Sequence, residues 1–218
     1  MASAEPFVFH GCLELRELLP YEAHDSQELL TEMERVPVES IFCHTSAALL
    51  RRPIPEAYPN DFALWAAIEV RERRLAERLA AIDPFHAGSL EQVRHAIVSV
   101  LSDHLGHRTA APPRAGEPFR FFQIHLVPVP TGHEVRSLGE FRDALAEVDA
   151  SALFYHVVEA RYRPERERGD FAEWIHTSLG RPELAERLAR IDPYVGTLDR
   201  IRDRHLAVLN DALATGRG

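Results

Sequence analysis

Two histidines stand out among the twelve in this 218-residue chain: His44 in IFCHTS and His156 in LFYHVV, 112 positions apart in related surroundings. Each is followed by an Asp-Phe pair and then a tryptophan: Asp61, Phe62 and Trp65 after the first, Asp170, Phe171 and Trp174 after the second. Imidazole beside carboxylate is the pairing used for acid–base catalysis, for metal coordination and for gripping a polar ligand. One expectation is therefore a pocket lined by His44, His156, Asp61 and Asp170 and shared between the two stretches. The plainer expectation is a hydrogen-bonded histidine inside each core, an aspartate capping each following helix, and Trp65 and Trp174 as core anchors before they are stacking platforms for a ligand. Three further features bear on metals. His156 and Glu159 have an HxxE spacing that shares one helix face and occurs in di-iron bundles, but Ala47 fills that place in the first stretch. His104 and His107 lie one turn apart beside Asp103. Both pairs are weaker metal candidates than surface or linker side chains, and no cofactor is assigned.

Absent motifs and overall charge narrow the field. There is no phosphate-binding glycine loop, dinucleotide fingerprint, GxSxG elbow, HExxH or paired CxxC, so the commonest phosphotransfer, hydride-transfer and hydrolase templates are unsupported. The net charge of -9 repels a phosphate backbone, which argues against a nucleic-acid partner. At 45% hydrophobic and 27% charged residues the composition is that of a globular protein, and no long apolar run reads as a membrane span. The opening MASAEPFVFHG lacks the pattern of a secretory signal, so a cytoplasmic location is expected. Cys12 and Cys43 read as buried free thiols. Lysine is missing altogether, and the run Arg161 to Arg168 is the one local basic patch.

The elements that must position these residues recur. Phe7-Val8-Phe9 matches Phe119-Arg120-Phe121 and Ile41 to His44 matches Leu153 to His156, both at an offset of 112. The offset falls to 109 from Asp61 and Asp170 onward, which places three extra residues in the Arg52 to Asn60 loop. LAERLAAIDP at Leu75 then faces LAERLARIDP at Leu184. The alternating phenylalanines predict a strand opening each copy. Asp25 with Glu28 and Ser137 with Glu140 predict capping boxes, and Ser89 and Thr197 cap a last helix in each half. The expected organisation is a first repeat at 1–105, a polar, proline-containing linker at 106–117 and a second repeat at 118–218. The fold class is α+β, predominantly helical, an internal duplication of a unit of about 100 residues with a pseudo-two-fold arrangement.

PTGHEVRSLGEF at Pro130, FYHVVEAR at Phe154, GDFAEW at Gly169 and ARIDPYVGTLDRIR at Ala189, with weaker counterparts in the first half, resemble an uncharacterised prokaryotic family, domain of unknown function 5752. The resemblance implies a cytosolic bacterial or archaeal protein of similar tandem build and carries no activity, substrate or catalytic residue. The leading functional expectation is a non-catalytic module that binds a small molecule or a protein partner. The alternatives are an enzyme or metal-binding protein using the paired His and Asp residues, and an accessory subunit of a larger enzyme.

Overall fold

The computed structural model describes residues 5–51, 58–163, 168–194 and 196–216. Most of the loop expected to carry the insertion, at 52–57, and residues 164–167 of the basic run lie outside these. The element order is β1 (Phe7–Ala23), α1 (Ser26–Met33), α2 (Val38–His44), α3 (Ala48–Arg51), α4 (Asp61–Ile68), α5 (Arg73–Ala80), α6 (Leu90–Gly106), β2 (Phe119–Val135), α7 (Leu138–Glu147), α8 (Ala150–Leu153), α9 (Asp170–Thr177), α10 (Pro182–Ala189) and α11 (Leu198–Ala214). A π-helical turn at Phe154–Val158 and a 3₁₀ turn at Glu159–Tyr162 follow α8. The protein is thus mixed α+β and mainly helical, with a two-stranded sheet of β1 and β2.

The chain packs as two compact units whose limits differ from the expected 1–105 and 118–218. An amino unit holds Glu14–His125, and a carboxy unit holds Met1–Leu13 together with Leu126–Gly218. Both strands are 17 residues long, far more than the short Phe-x-Phe segments predicted. The opening residues of β1 therefore serve the carboxy unit, and those of β2 serve the amino unit. Composition could not reveal this, because strand pairing is set by side-chain contacts distant in sequence.

In the amino unit, Phe119 and Phe121 point inward from β2 and meet Phe62, with Trp65 against Phe119. Leu29 and Met33 of α1, Leu75 and Leu79 of α5, and Val93, Ile97 and Leu101 of α6 complete a buried core. Their helical spacing is the reason those segments are helices, since each stripe has an apolar layer to cover. In the carboxy unit, Phe7 and Phe9 take the inward places and pack on Phe141 and Phe171, with Trp174 stacked on Phe141. A fully buried phenylalanine contributes about 1.5–3 kcal/mol, so these rings anchor the strand segment in its unit.

Most predicted caps are present. The Asp25 carboxylate accepts from the Gln27 and Glu28 N–H groups, Ser137 and Glu140 form a reciprocal capping box, and Ser89 and Thr197 cap α6 and α11. Asp61 and Asp170 are a correction: neither is a cap. Each is the first residue of its helix, and Asn60 caps α4 by accepting from Ala63 N–H while its amide donates to the Leu79 carbonyl. Gly169 precedes α9 at φ 77°, where a Cβ would come within 3.3 Å of the His156 carbonyl oxygen, so that helix has no side-chain cap. Freed from capping, both aspartates turn toward their histidines.

Candidate functional site

The carboxy unit gathers its polar groups around His156, which is 3% exposed. The ring sits in the π-helical turn, a local widening that aims the side chain under β1. Its Nε2 accepts from the His10 backbone N–H at 2.9 Å, and Nδ1 lies 2.7 Å from Asp170 Oδ2. A backbone N–H can only donate, so Nε2 must be the unprotonated nitrogen and Nδ1–H must face the carboxylate. Burial pushes the His156 pKa down against the upward pull of Asp170, which keeps the ring neutral.

Asp170, also 3% exposed, takes a second bond from Arg163 Nη1 at 2.9 Å. The Arg163 guanidinium donates further to the Tyr155 carbonyl, pairs with Glu159 and lies 4.0 Å over the Tyr155 ring. Trp174 Nε1–H, one turn into α9 from Asp170, donates to the Glu5 carbonyl at 2.7 Å. Two side chains of the helical layer thus hold the main chain at Glu5, just before β1, and at His10 within it. A cleft of about 630 Å³ opens here, and His10, Tyr155, His156, Arg163, Asp170 and Trp174 are among the residues that line it.

The amino unit has an arrangement of its own. His44, 3% exposed at the end of α2, accepts from the Phe122 backbone N–H at 3.0 Å through Nε2, and its Nδ1 lies 2.9 Å from Asp61 Oδ2. Burial lowers its pKa as well. Arg51 donates to Asp61 Oδ2 at 3.1 Å, to the Cys43 carbonyl at 2.9 Å and to Glu14 at 3.1 Å. Trp65 Nε1–H donates to the Glu117 carbonyl at 2.9 Å.

The structure thus joins His44 to Asp61 and His156 to Asp170, each pair inside its own unit with a tryptophan close by. Both nitrogens of each ring are used within that unit, so neither ring has a lone pair left for a metal or a substrate proton. Glu159 serves Arg163 and not a metal with His156. His104 lies 3.3 Å from the buried carboxylate of Glu72, and His107 Nδ1 is 2.7 Å from the Asp103 carbonyl, so these two do not converge. Among the described residues no group of three or more His, Cys, Asp or Glu side chains could hold a metal ion. Cys12 and Cys43 are buried and form no disulfide.

Sequence reasoning missed the two arginines. Arg51 and Arg163 are 112 positions apart, the offset that relates the histidines, and that spacing was the available signal. Arg163 was hidden inside a run that reads as a solvated basic patch.

Fold and site together define a mainly helical α+β protein in which a buried histidine in each unit, braced by an Asp–Arg pair, holds a strand by its backbone. A family model matches residues 4–210, and the chain belongs to that family of unknown function, DUF5752. It is similar over its whole length to the solved structure of OrfY from Thermoproteus tenax, with 26% identity, a TM-score of 0.83 and 97% of each chain covered. No curated protein matches the chain. Among the described residues no helix is long and apolar enough to cross a membrane.

Proposed function

We propose that this chain is a non-catalytic binding module, built by duplication of a unit of about 100 residues, and that its ligand occupies the carboxy-unit cleft. The observation that carries this reading is the full use of both nitrogens of His156: a general base needs a free lone pair facing substrate, and here that lone pair faces a backbone N–H. The cluster is a scaffold that fixes the cleft wall. A cleft of about 630 Å³ lies within the roughly 300–1,000 Å³ usual for small-molecule sites. Duplication is supported by the constant offset of 112 that links His44 with His156, Arg51 with Arg163 and Glu117 with Glu5.

The chain has only two tryptophans, so an ¹⁵N-labelled sample gives two indole N–H signals, assignable with Trp174→Phe. Screening a metabolite library on this spectrum tests the reading. Compounds that shift the Trp174 signal saturably and leave Trp65 in place support it. A library that never moves Trp174, or a compound that is consumed during the titration, overturns it.

A further inference from the structure

We propose that the carboxy-unit cleft takes a small organic cation, an amine or guanidinium compound, held by Glu5 and Glu173 against the aromatic rings of Tyr155 and Trp174. This rests on the reading that the cleft binds a small molecule and says which kind.

The uncommitted charge on the cleft favours a cation. Arg163, the cationic side chain on the cleft, is already engaged by Asp170, Glu159 and the Tyr155 carbonyl. Asp170 is likewise engaged by His156 and Arg163, and His156 is held neutral by burial. Glu5 and Glu173 also line the cleft, and among the described residues no ion pair reaches either carboxylate. The charge left for a ligand to meet is therefore negative. Among the described residues no uncommitted arginine lines the cleft, so an anion would face two carboxylates, whereas a cation gains Coulomb energy from both.

The wall of the cleft favours the same charge. Trp174 neighbours Glu173 on α9, and its indole is tied to the Glu5 carbonyl, so one aromatic side chain connects the two acidic residues. Tyr155 is half-buried on the cleft, with the Arg163 guanidinium 4.0 Å over its ring. Aromatic rings combined with unpaired carboxylates favour ammonium and guanidinium groups, since the ring quadrupole and the carboxylates attract the same charge. Among the described residues no hydrogen bond reaches the Tyr155 hydroxyl, which leaves it to a polar substituent of the ligand.

The experiment titrates the full chain with putrescine, arginine methyl ester, glucose and citrate, reading the Trp174 indole signal. Binding of either amine probe is expected, weakened about tenfold by Glu173→Gln, about a hundredfold by Glu5→Gln with Glu173→Gln, and by added salt. An unchanged thermal melt shows that the variants are folded. Binding of glucose or citrate without the amines overturns the cation assignment while leaving the cleft as a binding site. Amine binding that survives the double substitution, or no response to any of the four probes, also overturns the assignment. Whether the cleft binds anything at all is then decided by the broader library.

Discussion

His205, 3% exposed in α11, supplies a pH dependence whose size follows from its surroundings. The ring packs edge-on against Phe171, and Nδ1 bonds the Ile201 carbonyl at 2.7 Å. Burial lowers its pKa from 6.5 to about 4. The unfolded chain therefore takes up a proton at this residue as pH falls through 6.5, while the folded chain resists until about 4. Stability from this group is whole above 6.5 and is lost progressively as pH falls toward 4. At about 1.4 kcal/mol per pH unit the loss is about 3 kcal/mol. Replacing His205 by isoleucine removes the titrating group at little cost in volume, and Ile97 already fills the same eighth position of α6. Urea unfolding of the wild-type chain and His205→Ile at about pH 7 and pH 4 checks the reasoning. Carboxylates common to both proteins cancel in the comparison, so the wild type should lose about 3 kcal/mol more than the variant across that range. Equal losses would refute the burial argument.

Other outcomes follow from the same contacts. His156→Ala should cost about 2–4 kcal/mol, because it leaves the buried Asp170 and the His10 N–H each short of a partner; hydrogen exchange at the His10 amide should accelerate while Phe122 stays protected. Arg163→Met should destabilise by about 3 kcal/mol in urea titrations, since Asp170 keeps its charge with one donor fewer. Trp174→Phe should cost about 1 kcal/mol through the lost bond to the Glu5 carbonyl, read as a lower unfolding midpoint. Asn60→Ala should cost about 1–2 kcal/mol by removing the cap of α4, whereas Gly169→Ala should destabilise because of the positive φ and the nearby His156 carbonyl, both measurable by thermal melts.

Local chemistry was legible in the sequence. Asp25, Ser89, Ser137 and Thr197 cap helices as their types and spacing require. The inward phenylalanines were visible from period two, but the unit they would enter was not. Phe7 and Phe9 pack in the carboxy unit because that is where Phe141 and Phe171 present matching faces, a contact no local pattern encodes. The aspartates looked like caps for a good reason: Asp is a preferred N-cap residue. A neighbour at Asn60 and a left-handed glycine at Gly169 displaced them, and only the assembled helices show the carboxylates facing imidazoles. The π-helical turn that carries His156 was equally invisible, since aromatic and β-branched residues such as those of LFYHVV suit a strand or a buried helix.

His44 and His156 are neutral, with the proton on Nδ1, and hold the backbone of a strand through Nε2. Ring ¹⁵N shifts followed from about pH 8 to pH 5 test it directly. A protonated Nδ1 and an unprotonated Nε2 are expected for both residues, with no titration at or above pH 6.5, the ordinary value both rings fall below. A proton on Nε2 in the neutral ring, or protonation of either ring above 6.5, would contradict it.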